Sequence, residues 1–216
     1  MSAGTRLVFV GDPMCSWCYG FTKELSLLAR RHPDLPIDIR VGGVSAGATE
    51  PMSEEMKRFR LSHWHRVEKA SALPFNREAF MRLKDFVYDT EPVCRAIVAL
   101  RHVAPEASHL GVFRALQDAF YAQGRDTTDG AVLADLASSA LAEQGFSVTA
   151  EKFLAAWEDA GVIALTASEF KEVRRWGVQS FPTLLLQHEG EVSVLAPGYM
   201  SVDELEGRLN HLLKAG

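Results

Sequence analysis

Apolar residues recur along the chain with two different periods, and the change of period divides it. Leu7, Val8, Phe9 and Val10 form an unbroken apolar run with two valines, the pattern of a buried strand. Asp12-Pro13 interrupts it. From Phe21 through Leu25 to Leu28 the apolar positions fall at helical spacing, until His32-Pro33. Ile37, Ile39 and Val41 then alternate with Asp38 and Arg40, which is strand spacing, closed by Gly42-Gly43. The opening predicts strand, helix, strand.

From about Ala46 to Gly161 the period is helical almost throughout. Asn76 precedes Phe80 and Leu83. Pro92 follows Thr90 at a first helical turn carrying Val93, Ile97 and Leu100. Ser108 precedes Phe113, Leu116 and Phe120, while Asp129 precedes Val132, Leu136 and Leu141, with Gly145 beyond. Thr149 opens a further helix with Phe153 and Trp157, which Gly161 closes. Thr166-Ala167-Ser168-Glu169 has capping-box spacing and predicts a helix opening there, with Phe170 and Val173 inward and Gly177 as its stop. Two strand-like runs follow, Thr183–Leu186 and Val192–Ala196, around a turn at Gly190. A second capping box, Ser201 to Glu204, opens a last helix with Leu205, Leu209 and Leu212. Parallel strands need crossovers of this kind. The pattern therefore predicts an α/β fold, with residues 1–45 and 163–216 forming a mixed sheet flanked by helices and residues 46–162 an all-helical insertion.

Composition narrows the function more than the fold. With 47% hydrophobic and 24% charged residues the chain is ordinary for a globular protein. A formal charge of −5 and the lack of any dense Lys/Arg block point away from nucleic acid and acidic membrane surfaces. No run approaches the roughly 18 apolar residues of a membrane helix. The segment before Leu7 and the short Leu7–Val10 run are unlike a secretory leader, so the expected compartment is the cytoplasm, where structural disulfides are rare.

Against that background Cys15-Ser16-Trp17-Cys18 stands out. Disulfide exchange needs a thiolate. Cys15 falls where the loop after the first strand becomes a helix, and unpaired N–H groups there favour an anion. Cys18 is one turn further and within reach of a mixed disulfide on Cys15. Half of a zinc site, completed by Cys94 or a histidine, is the metal alternative. The sequence has no second CxxC and no His pair at ligand spacing, since His63 and His65 are two apart, so no metal is expected. Two inert core cysteines fit less well, because an exposed Asp12-Pro13 and a helix start suit an accessible loop. Phe181-Pro182-Thr183 heads an apolar strand where a proline fits only the first residue or an edge. Since about 5–6% of X–Pro bonds are cis, Pro182 alone decides nothing.

Taken together, Asp12-Pro13-Met14-Cys15-Ser16-Trp17-Cys18-Tyr19-Gly20-Phe21 and Gly177-Val178-Gln179-Ser180-Phe181-Pro182-Thr183 resemble the DsbA-like branch of the thioredoxin superfamily. Gly42-Gly43 and Asp89-Thr90-Glu91-Pro92 extend the likeness to its FrnE-like, predicted protein-disulfide isomerase subgroup. The resemblance implies a thioredoxin-like fold with a helical insertion, Cys15 as attacking and Cys18 as resolving thiol, and a cis Phe181-Pro182 peptide beside them. It implies protein or peptide thiols and disulfides as partners, glutathione as a candidate reductant, and no bound cofactor. The family's periplasmic oxidases carry export signals and a histidine inside the motif, whereas this chain has Ser16-Trp17. A dithiol near the thioredoxin range, roughly −270 mV, rests mostly reduced in the cytosol, so isomerase or reductase work is expected over oxidation. A kappa-class-like glutathione isomerase or transferase is the main alternative, but such enzymes place one serine where Cys15 stands. A non-catalytic peptide-binding module has no positive mark.

Trp17 and Tyr19 are candidates for an apolar substrate surface, alongside Phe181 and Pro182, or for packing against the insertion. Cys94, between Val93 and Ile97, reads as a buried inert thiol. Asp89, Thr90 and Glu91 read as helix-start residues, and Lys23 and Glu24 as surface positions on the first helix.

Overall fold

The computed structural model describes residues 4–215. A four-stranded mixed sheet has the order β2-β1-β3-β4. Strand β1 (Arg6–Gly11) crosses over through α1 (Ser16–Arg31) to β2 (Ile37–Val41), which lies parallel to it with Phe9 opposite Ile39. After the insertion, β3 (Thr183–His188) runs antiparallel to β1 with Leu184 opposite Phe9, and β4 (Glu191–Ala196) runs antiparallel to β3. The unbroken apolar run of β1 follows from its central place, since both of its faces are covered. Leu7 and Phe9 point into the main core with α1. Val8 and Val10 point to the opposite face, where Val173, Val178 and Leu185 pack on them.

The insertion comprises α2 (Glu54–Ser71), α3 (Arg77–Arg82), α4 (Glu91–Val103), α5 (His109–Tyr121), α6 (Gly130–Glu143) and α7 (Ala150–Trp157), leading into α8 (Ala160–Arg175). Short polar side chains open most of them: Ser53, Asn76, Ser108, Asp129 and Thr149 each accept a first-turn backbone N–H. One continuous apolar core joins these helices to the sheet, from Leu7 and Phe9 through Phe113 to Leu133 and Phe153. Helix α9 (Val202–Ala215) closes the same face of the sheet, and its predicted capping box is present, Glu204 accepting from the Ser201 N–H at 2.8 Å. On β4, Val192 and Val194 are exposed.

The other predicted capping box is absent. Helix α8 starts six residues earlier than Thr166, at Ala160, and Asp159 caps it by accepting from the Gly161 and Val162 N–H groups at 2.8 and 3.1 Å. Gly161 therefore lies in a first turn instead of ending a helix. Thr166 donates back to the Val162 carbonyl at 2.8 Å, and Glu169 turns inward. Its carboxylate accepts the Val41 N–H at 2.6 Å, at the end of β2, and two guanidinium bonds from Arg101 at 2.7 and 2.8 Å. Distant partners of this strength outcompete a local cap. Glu169 thus fastens α8 and α4 to the sheet edge.

Removing Glu169 leaves the buried Val41 N–H without its acceptor, at a cost of about 1–3 kcal/mol, while Arg101, a quarter exposed, can turn to water. Glu169→Ala is expected to lose stability of that order in urea denaturation. Glu54→Ala, which breaks an exposed i,i+4 pair with Arg58, should stay within ~0.5 kcal/mol of wild type.

Candidate active site

Cys15 occupies the N-cap of α1, with extended backbone at φ −85° and ψ 117° and no cap bond from its side chain. Its thiol instead points across to the segment that leads into β3, with Sγ 3.7 Å from the Phe181 carbonyl oxygen, just before Pro182. Cys15 is half-buried and Cys18, one turn into the helix, is fully buried; both are free thiols. Burial pushes the Cys18 thiol well above its ordinary range, and the neighbouring Cys15 sulfur adds to the effect. Two adjacent sulfurs thus occupy unlike environments, one facing outward at a helix start and one held protonated inside.

The loop carrying Cys15 is fixed by a residue expected at the surface. Asp12 has no exposed area. One carboxylate oxygen accepts the Met14 N–H at 2.8 Å, and the other accepts the Val44 N–H, just after β2, at 2.7 Å. The Thr90 hydroxyl and the Cys94 thiol also bear on it. Desolvation outweighs these bonds and raises the Asp12 carboxyl above its ordinary range. Loops at the ends of two adjacent strands need their N–H groups satisfied once the insertion covers them, and a single carboxylate does so for both. Cys94 is buried, as read from its neighbours, and burial pushes its thiol well up, but it sits against Asp12 and not in a purely apolar setting.

On the other side, two buried phenols from the insertion, Tyr88 before α4 and Tyr121 at the end of α5, both donate to the Met14 carbonyl, the latter at 2.5 Å. Burial raises both hydroxyls above their ordinary range, so both remain donors at neutral pH. The peptide bond before Cys15 is thereby held at its oxygen by the insertion, while the Cys15 N–H is held by the Asp12 carbonyl at 3.0 Å.

The four aromatic and proline candidates separate. Tyr19 is 4% exposed, stacked on Tyr121 at 4.8 Å between centroids and edge-on to Phe75 at 5.3 Å, so it is a packing residue and not a substrate surface. Trp17 is half-buried, leaning on Tyr199 at 5.7 Å. The Phe181-Pro182 peptide is cis, with Pro182 buried and Phe181 half-buried beside Cys15. A Cβ on Gly42 would lie 2.2 Å from the Phe181 ring, so only glycine lets that ring close over the loop. Glu24 is buried, and accepts the Val202 N–H at the start of α9 at 2.9 Å; Lys23 donates to the Ser71 carbonyl at 2.6 Å. Neither is a free surface group. Asp89 accepts from the Glu91 and Gly47 N–H groups at 3.0 and 2.8 Å, a helix-start role.

Cys15 lies on the rim of two cavities. The larger, about 560 Å³, is bounded by Gly42, Gly43, Val44, Arg174 and the 178–181 segment. The smaller, about 180 Å³, lies toward α2, bounded by Trp17, Phe59, Arg60, His63 and Tyr88 among others. Among the described residues no group of three or more His, Cys, Asp or Glu side chains is placed to hold a metal ion, and no helix is long and apolar enough to cross a membrane.

A mixed sheet of this order, with a cysteine pair at the start of α1 and a cis-proline segment opposite, defines a thioredoxin-like dithiol protein. Residues 6–210 match the DSBA-like thioredoxin domain family, and the chain belongs to this family of thiol–disulfide oxidoreductases. Among solved structures, a candidate protein disulfide isomerase from Nitrosomonas europaea superposes with a TM-score of 0.86 at 28% identity, covering 98% of both chains. The cytosolic disulfide reductase DsbM from Pseudomonas aeruginosa superposes with a TM-score of 0.78 at 25% identity, over 98% of this chain and 100% of that one. Its structure with GSH gives 0.76 at 26% identity, over 97% and 99%. No curated protein matches the sequence.

Two outcomes follow from the burial of these groups. Iodoacetamide at neutral pH should add one label per native chain, on Cys15, with Cys18 and Cys94 labelled only after denaturation; early adducts on either would contradict their inaccessibility. Asp12 binds its proton more tightly when folded, so the native state loses stability as pH rises from the ordinary carboxylate range through the raised value. Asp12→Asn cannot titrate, so its stability deficit relative to wild type should widen as pH falls through that window, read by denaturant melts at several pH values.

Proposed function

We propose that the protein reduces or isomerises disulfides in peptides and proteins, with Cys15 as nucleophile and Cys18 as resolving thiol. The observation that carries this reading is the asymmetry of the pair: Cys15 sits at a helix N-cap on the rim of a cavity, and Cys18 lies buried one turn behind it. The first-turn N–H groups of a helix have no partner within it and favour negative charge beside them. A Cys15 thiolate occupies the place where an oxygen normally caps. It attacks one sulfur of a substrate disulfide, forming a mixed disulfide and expelling the other substrate sulfur as a thiolate, which takes up a proton. Cys18 then gives up its proton and attacks the Cys15 sulfur, releasing the second substrate thiol and leaving Cys15 and Cys18 joined. Two electrons have passed to the substrate. Thiols such as glutathione return the pair to the dithiol form; in isomerisation the freed substrate thiol attacks elsewhere and Cys15 leaves unchanged.

Trp17, Phe181 and Pro182 are taken as substrate contacts, the 180–181 backbone pairing with an extended chain in the manner of strand addition. Reduction or isomerisation is preferred to oxidation, and the cytoplasm to an oxidising compartment. Support comes from the absence of histidine between the cysteines and from the likeness to a cytosolic disulfide reductase that has also been solved with GSH.

Insulin reduction and scrambled-ribonuclease refolding should proceed with wild type and fall to the uncatalysed rate with Cys15→Ser. Cys18→Ser should accumulate mixed disulfides visible on non-reducing gels, and Cys15→Ser should not. Equal activity in all three proteins would remove the oxidoreductase reading; trapping by Cys15→Ser alone would exchange the two roles.

A further inference from the structure

The surface on either side of Cys15 has a charge unlike the rest of the chain. Acidic residues outnumber basic ones, 28 to 23, yet no Asp or Glu lines either cavity that opens on Cys15. Each cavity instead carries one arginine, Arg174 in the larger and Arg60 in the smaller. Among the described residues neither guanidinium has a carboxylate within ion-pair distance. The contrast lies behind β2, where Arg40 and Arg101 share a small cavity with Glu169 and Glu172 and are neutralised there.

Arg60 is also held in place. Its guanidinium carbon lies 3.6 Å above the Tyr88 ring, and one nitrogen donates to the Ser45 hydroxyl at 3.4 Å. Tyr88 is itself tied to the Met14 carbonyl, so this cation has a fixed position relative to Cys15. A guanidinium has five donors, and most of those on Arg60 remain for a ligand. Val44, at 46% exposure, lines both cavities and Phe59, at 66%, the smaller one, and both offer apolar contact beside Cys15.

We infer that the preferred substrates are extended peptide disulfides with a carboxylate on each side of the reacting half-cystine, one received by Arg174 and the other by Arg60. This rests on Cys15 being the nucleophile. The arginines take no part in the electron transfer described above; they hold the chain so that its sulfur meets Cys15. They are specificity-determining residues, and their effect belongs in KM more than in kcat. Both lie near solvent, so each pair is worth roughly two- to fivefold in affinity, and salt should erode it.

The test uses the full chain, recycled by excess dithiothreitol with the uncatalysed rate subtracted, and three peptide disulfides of one sequence, with Glu, Gln or Lys on both sides of the half-cystine, read as release of the peptide thiol. At low salt kcat/KM should fall in the order Glu, Gln, Lys, mainly through KM, and the spread should narrow at high salt. Arg60→Gln and Arg174→Gln should each shrink the Glu-to-Gln ratio by roughly two- to fivefold, and the double variant should abolish it while still reducing the Gln peptide. Arg175→Gln, next in sequence but outside both cavities, should keep the ratio. Equal rates for the three peptides at low salt, or a preference that survives in the double variant, would overturn the inference and leave the oxidoreductase reading standing. No turnover of any peptide would overturn both.

Discussion

Asp12 gives up its hydration to join the loops at the C-terminal ends of β1 and β2. Water does not reach it, so its two oxygens serve the Met14 and Val44 N–H groups that the insertion would otherwise leave orphaned. Nearly every feature of the site follows from this placement. The loop before Cys15 keeps one path, the segment after β2 is drawn close enough for Phe181 to lie over Gly42, and Thr90 at the start of α4 is drawn to the same carboxylate. The energetic expense is a buried charge whose bonds do not fully replace solvent, which is why its proton is held more tightly than usual.

Much of the fold was legible because the interactions that fix it are local. A cap joins residues two or three apart, and Asn76, Ser108, Asp129, Thr149 and Ser201 act within that distance. The strands were legible because β1 is apolar on both faces and β2 alternates. Thr166 and Glu169 show where such reading ends: the spacing was right, but Glu169 found Val41 and Arg101 across the fold. Asp12 and Glu24 failed for the same reason, since polar residues are normally exposed unless paired, and their partners are Val44 and Val202, 32 and 178 positions away.

The site divides along the same line. The cysteines could be placed at the start of α1 because adjacency and a helix start are local features of the sequence. The groups that shape them could not, because Tyr88, Tyr121, Arg60 and Arg174 come from α2, α5, α8 and the segment before α4. Only Asp89-Thr90 hinted at the region, and Tyr88 adjoins it. Tyr19 stayed open between a substrate surface and packing against the insertion because its partners are distant: beside Cys18 in sequence, it turns inward to an aromatic cluster with Tyr121, Phe75 and Trp64. The insertion is therefore a structural part of the site and not only a cover, since its phenols bind the peptide bond that leads into Cys15.

The outer side of β4 has a different bearing, on how the molecule behaves among copies of itself. A terminal strand with Val192 and Val194 facing solvent is the kind of surface that recruits another chain edge to edge. This one is blunted. The strand is six residues long, begins at Glu191 and is followed by Pro197, and its pairing with β3 shifts register at Leu184/Leu185. A short, charged and irregular margin, remote from Cys15 and Cys18, offers a poor template for continued pairing.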